Sequence, residues 1–181
     1  MLMERLQQGD EDAFKVLYDR YHGAIFIYCL RMMNDRDAAK DVLQDVFIRL
    51  HLRRERYEPG TNFGGWIHTI ARNLCLNARR DNRMHASFDE KTYETTTDAG
   101  SDVALRDRLA GEIARLPELY REALILREYE DRSYDEIAGI LGAPMSTVKF
   151  RIFKAREMLR ERLAASFDEY RGNSDDTSSI D

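Results

Sequence analysis

Residues 133–150 read SYDEIAGILGAPMSTVKF, and this stretch decides the fold. Ser133 suits a helix N-cap, and Ile137, Ile140 and Leu141 follow on one face of the helix it opens. Ala138 is small enough to let a second helix approach closely. Gly142 can take positive φ and close the first helix, and Pro144 forbids simple continuation. Ser146 then suits the N-cap of a second helix. In that helix Val148, Ile152, Ala155 and Leu159 recur at steps of four, three and four, the spacing of one buried stripe. Thr147, Lys149, Phe150, Arg151, Phe153, Lys154 and Arg156 are left outside. Two short helices joined through such a turn predict a helix-turn-helix, whose second helix enters the DNA major groove.

The second helix is basic in an acidic protein. Between Pro144 and Leu163 six cations face two glutamates, for a net +4, although the 181-residue chain carries −5. The acid is concentrated elsewhere. Residues 86–107 carry −4 and residues 168–181 another −4, so the remainder sums to +3. A basic helix face can neutralise phosphates and reach base edges; a solvated helix packed on its neighbour is the competing reading.

Outward from this motif the chain reads as helices throughout. Asp10 caps a long helix to about Met33, with Phe14, Leu17, Tyr18, Tyr21, Ile25 and Tyr28 inward. After NDRD a second helix spans about Arg36 to Leu52, with Ala39, Val42, Leu43, Val46 and Leu50 inward. RYEPGTN is a loop, and a third helix spans about Phe63 to Arg83 with Phe63, Ile67, Ile70 and Leu74 on one stripe. Residues 86–102 are polar, acidic and rich in Thr, the composition of a flexible linker. Helical pattern resumes near Val103, breaks at Pro117, and restarts there. The predicted fold class is all-α: two small helical domains, residues 1–85 and 103–165, joined by the acidic linker and followed by a disordered acidic tail from 166.

The third helix has a second face. Trp66, Asn73, Asn77 and Arg80 align at steps of seven, four and three, opposite the buried stripe, with Arg72, Arg79 and Arg83 nearby. Aromatic, amide and guanidinium groups together suit unpaired bases. A polar surface whose Trp66 packs on a loop is the alternative. Cys29 and Cys75 lie far apart in sequence in apolar contexts, as two buried thiols rather than a disulfide framework. The four histidines make no metal-ligand spacing, and no nucleophile–base pair or phosphate loop appears, so neither metal, cofactor nor enzymatic activity is expected. No apolar run is long enough to span a membrane and the first residues lack a signal-peptide core; a cytoplasmic protein is expected.

Three segments in order, DAAKDVLQDVFIRLH (37–51), FGGWIHTIARNLCLNARR (63–80) and LPELYREALILREYEDRSYDEIAGILGAPMSTVKFRIFKAREML (116–159), resemble the extracytoplasmic-function (ECF) sigma factors of bacterial RNA polymerase, within the sigma-70 family. The resemblance implies that the first domain (region 2) binds core RNA polymerase and melts the −10 element. It implies that the second (region 4) reads the −35 element. Asp41, Gln44 and Asp45 match the polymerase-contacting positions. Asn73 matches a position that captures a flipped −10 base, Asn77 matches more weakly, and loop residues Tyr57 to Asn62 would wall that pocket. Lys149, Phe150, Phe153 and Lys154 match −35-reading positions, with Arg151 and Arg156 meeting phosphate. The implied partners are the two largest polymerase subunits, promoter DNA and an anti-sigma factor. Two departures stand out: a bulky Phe150 where the family often has Ser, and Gly64-Gly65 ahead of Trp66. The alternatives are a self-standing helix-turn-helix regulator, which would need a dimerisation element, and a sigma-like decoy that binds an anti-sigma factor without touching DNA.

Overall fold

A computed structural model describes the backbone of residues 1–85 and 101–175, and the side chains of 1–81 and 105–164. All regular structure among them is helical, in the order α1 (Leu2–Gln7), α2 (Glu11–Met33), α3 (Arg36–Leu52), a 3-10 turn (Arg54–Arg56), α4 (Phe63–His85), α5 (Ser101–Ala114), α6 (Glu118–Glu128), α7 (Tyr134–Leu141) and α8 (Met145–Asp175).

Helix boundaries follow local chemistry. The Asp10 carboxylate accepts the backbone N–H groups of Asp12 (3.0 Å) and Ala13 (3.3 Å), which starts α2. The Arg5 side chain beside it holds the Asp10 carboxyl below its usual range. Asn34, at φ 54°, ends α2 in the left-handed conformation, and Asp35 caps α3 through the N–H groups of Asp37 and Ala38, both at 2.9 Å. Asn62 caps α4 through the Gly65 N–H at 3.1 Å. Helix α1 was not read from the sequence, because six residues are too few for a period to show. Met3 and Leu6 tie it to the core, and the Gln7 amide donates to the carbonyls of Arg54 and Tyr57.

Helices α2, α3 and α4 pack around Leu17, Ile25, Tyr28, Val46, Leu50, Ile67 and Leu74. Helices α5 to α8 pack around Ile113, Leu124, Leu126, Ile137, Val148 and Ile152. Tyr18 does not join the first core. It is 39% exposed, because Phe47 of α3 takes the inner position and leaves the ring at the rim. Cys29 and Cys75, far apart in sequence, are both buried and adjacent where α2 meets α4; the Cys29 contact and burial together push the Cys75 thiol up.

Helix α8 continues to Asp175, since Ala164 to Tyr170 contain no helix breaker and Gly172 alone does not stop it. Most of the 86–102 linker and residues 176–181 lie outside the described residues.

Candidate DNA- and polymerase-binding faces

The helix-turn-helix is built by reciprocal caps. Ser133 Oγ accepts the Glu136 N–H at 3.2 Å, while the Glu136 carboxylate accepts the Ser133 N–H at 3.0 Å. That backbone bond is the main reason the Glu136 carboxyl sits below its ordinary value. Gly142, at φ 59°, closes α7. Helix α8 starts at Met145, two residues earlier than the Ser146 cap implied. The Pro144 carbonyl accepts the Val148 N–H at 3.1 Å, so Ser146 lies within the first turn. Val148, Ile152 and Ala155 are buried as the stripe requires, and Leu159 is half-buried.

The opposite face of α8 carries two large exposed rings, Phe150 (53%) and Phe153 (62%), next to exposed Lys149. The Lys149 ammonium lies 5.5 Å from the Tyr134 ring, which orients it from α7. Lys154 is paired with Glu157, and Arg156 is drawn back onto Glu128 of α6 (Nε–Oε1 3.1 Å). Thr147 and Arg151 are half-buried at the edge of the face.

On α4, exposed Asn73, Asn77 and Arg80 form one surface with half-buried Trp66. Trp66 is held by edge contacts with Tyr57 at 5.4 Å, itself fixed by its hydroxyl donating to the Thr61 carbonyl at 2.6 Å. Beside Trp66 and Asn73 opens a cavity of about 160 Å³, walled by Thr69 and Ile70 of α4 and by Arg49, Arg53 and Arg56. Loop residues Tyr57 to Asn62 are not among its walls, and of them Tyr57 packs on the Trp66 ring. The three arginines were missed because the run around them holds a fourth, Arg54, and nothing in the sequence says which ones turn toward α4.

Arg72 stands apart from this surface. It lies about a third of a turn round α4 and pairs with Glu122 of α6 at 3.2 Å. That side is a contact between the two helical units. His68, fully buried, places Nδ1 2.7 Å from the Gly64 carbonyl and Nε2 3.2 Å from Glu130. Gly64 lets the Arg132 guanidinium come close, since a Cβ there would stand 3.2 Å from it. The Met32 carbonyl, in the last turn of α2, accepts from both Arg79 (2.6 Å) and Arg121 (3.2 Å). Arg31 lies over the Tyr129 ring at 4.6 Å.

Burial raises the Glu122 carboxyl above its ordinary value near 4.5 despite Arg72, and its Oε1 has no hydrogen-bond partner. The folded state therefore binds more protons at this site than the unfolded chain, and stability from Glu122 falls as pH rises through the carboxylate range. Glu122→Gln is expected to flatten that decline and leave the protein at least as stable at neutral pH, as read from urea midpoints across pH 4 to 7. A steeper decline in the variant would contradict it.

Asp41, Gln44 and Asp45 are all exposed on one face of α3. Continuing that face, Ile48 (46%) and Leu52 (72%) are exposed, and beside it runs an apolar groove of about 720 Å³ between α2 and α3 lined by Phe14, Tyr18, Leu43 and Phe47. The signal for it was present as Ile48 and Leu52 at steps of four from Gln44, off the buried stripe.

Residues 17–84 match the sigma-70 region 2 family, and residues 106–159 match the sigma-70 region 4 family. The chain belongs to the sigma-70 family, in its ECF group. It is 30% identical over 181 aligned residues to the ECF RNA polymerase sigma factor SigW of Bacillus subtilis, covering 90% of this chain and 97% of that one. It is 34% identical to the RNA polymerase sigma factor CarQ of Myxococcus xanthus, covering 89% and 95%. Among solved structures its fold is similar to CnrH in complex with the cytosolic domain of CnrY, at TM-score 0.72 and 24% identity over 91% of this chain and 96% of that one. This sigma factor is a transcription initiation factor and not an enzyme. No helix among its described residues is long and apolar enough to cross a membrane.

Proposed function

We infer that this sigma factor binds core RNA polymerase through the α3 face at Asp41, Gln44 and Asp45 and recognises promoters at two points. The α8 face reads duplex −35 DNA, and the α4 face at Trp66, Asn73, Asn77 and Arg80 takes unpaired −10 bases. The observation that carries this is the pair of exposed rings, Phe150 and Phe153, beside Lys149 on a helix whose other side buries Val148, Ile152 and Ala155. Such apolar surface on a basic helix suits thymine methyl groups and base edges in a major groove. Residues 1–85 act as the polymerase-binding, DNA-opening unit and residues 103–165 as the −35-reading unit, each contact being modest alone and reinforced by the other. An anti-sigma factor is a further partner, supported by the solved relatives CnrH with CnrY and RpoE of Bartonella quintana with the anti-sigma factor NepR. The protein works in the cytoplasm, where its template is.

The test is transcription by core polymerase plus this protein on a promoter library. Lys149→Ala and Lys154→Ala are expected to weaken −35-dependent initiation by about 1–3 kcal/mol per lost base-edge contact. Asn73→Ala is expected to impair opening more than duplex binding, read by permanganate reactivity against gel shift. Tight duplex binding without polymerase, and no specific transcript with it, would favour a self-standing regulator instead.

A further inference from the structure

His68 is fully buried where the two helical units meet, and both of its ring nitrogens face acceptors. Nδ1 stands 2.7 Å from the Gly64 carbonyl. Nε2 stands 3.2 Å from the carboxylate of Glu130, a side chain only 5% exposed. A carbonyl and an ionised carboxylate accept hydrogen bonds and cannot donate them. A neutral imidazole has a single N–H, so it satisfies one of them and turns a lone pair toward the other. The Arg132 guanidinium comes within 3.3 Å of Nδ1, but the Gly64 carbonyl is nearer and fixes the N–H there. The contact therefore needs one proton more than neutral His68 and ionised Glu130 carry.

The surroundings accommodate that proton. The turn after α6 supplies Glu130 and Arg132, and α7 supplies Glu136, which pairs with Arg132 at 3.2 Å. With His68 charged, the carboxylates of Glu130 and Glu136 balance His68 and Arg132. Helix α2 presents Tyr28, whose ring lies 5.8 Å from that of His68. On α4 itself Arg72 is held by Glu122 of α6, and Arg49 of α3 lies at the cavity beside Trp66. Glu122 Oε1, Tyr28 Oη and Arg132 Nε are buried here with no hydrogen-bond partner. Such unmet groups leave the contact a narrow margin, which one proton shifts.

We propose that His68 and Glu130 form a proton-dependent clasp that holds the two helical units together in acid and releases them as pH rises. Closing binds one proton at the pair, and parting returns it to solvent. In the parted molecule His68 faces water, where an imidazole gives up its second proton above about pH 6.5. Because the closed form holds the extra proton, lower pH favours closure and higher pH favours parting. Only the parted form spans two separated promoter elements, so apparent affinity falls with the closed fraction.

The clasp rests on the two-element promoter reading, and the experiment separates the two. The full chain is titrated into core polymerase on DNA carrying both elements, at pH 6.5 and at pH 7.5. The concentration giving half-maximal specific complex is read. Glu130→Gln decides, because its carboxamide donates to the Nε2 lone pair of neutral His68 and closes the contact without the extra proton. From pH 6.5 to 7.5 the wild type is expected to gain about threefold to fivefold in apparent affinity relative to E130Q, about fivefold being the limit for one proton. Glu122 and the polymerase titrate in both mixtures and cancel in that ratio. His68→Gln has no titratable ring and should lose the same dependence, which covers an E130Q that does not fold. A wild-type-to-variant ratio that is constant with pH overturns the clasp and leaves the promoter reading standing. No specific complex at either pH overturns the promoter reading and the clasp with it.

Discussion

Replacing Arg121 with Met is expected to destabilise the protein by about 3–5 kcal/mol, the effect of removing one member of a fully buried charged hydrogen-bond set. Arg121 is only 2% exposed. Its guanidinium donates to the carbonyls of Ile113 (3.1 Å), Leu116 (2.8 Å) and Met32 (3.2 Å), and to that of Ala114. These carbonyls belong to the end of α5, to the turn before Pro117 and to the last turn of α2, places where helix ends leave carbonyls short of N–H partners. One side chain therefore satisfies the α5–α6 junction and attaches it to the first helical unit. Met fills comparable space but takes the guanidinium donor from the Ala114 and Leu116 carbonyls, and removes one of two donors from those of Ile113 and Met32. A urea midpoint lower by about 2 M, at a slope of ~2 kcal/mol/M, is the expected reading. Arg121→Lys should recover only part of it, because an ammonium offers three donors from one point, against five spread over the guanidinium fork. A midpoint shift below a quarter of that value would show that water replaces the guanidinium.

Reversing charge at Arg72 is expected to open the molecule. Glu122 is buried against it, so Arg72→Glu removes its counter-charge and puts a second carboxylate beside it. The rest of the contact, His68 with Glu130 and Arg79 with Glu118, is polar as well, the composition of an interface that separates reversibly. A closed 181-residue chain has a radius of gyration of about 16 Å, and two separated lobes of this size exceed about 20 Å. Small-angle scattering of the free variant should show that rise. Promoter-directed transcription should survive, because elements centred some 25 base pairs apart, about 85 Å at 3.4 Å per pair, require the lobes to part in any case. A variant with unchanged scattering would mean that apolar packing between α2 and α5–α6 holds the lobes without the ion pair.

The sequence was most legible where function and helix periodicity coincide. The turn from Ser133 to Pro144 and the stripe Val148, Ile152, Ala155 are local features, fixed by residues within a few positions of each other, and the packing agrees with them. The same holds for Asn73, Asn77 and Arg80, which one helix places on one face whatever surrounds it. Arg72 shows the limit. Its residue type fits nucleic acid, yet it lies a third of a turn away from that face, and a carboxylate 50 positions later in the chain claims it.

By itself, the sequence determined that the chain is all-helical, that it carries a helix-turn-helix with a basic, aromatic outer face, and that the net acid is concentrated in residues 86–107 and 168–181. Tertiary structure alone decided which side chains meet across those helices. It turned Arg49, Arg53 and Arg56 toward Trp66, sent Arg54 elsewhere, spent Gly64 on the approach of Arg132, and brought Cys29 beside Cys75. The reason is physical: periodicity fixes the direction a side chain leaves its own helix, but not what stands there. That depends on how neighbouring helices cross, and on which buried acceptor or carboxylate a long cationic side chain can reach.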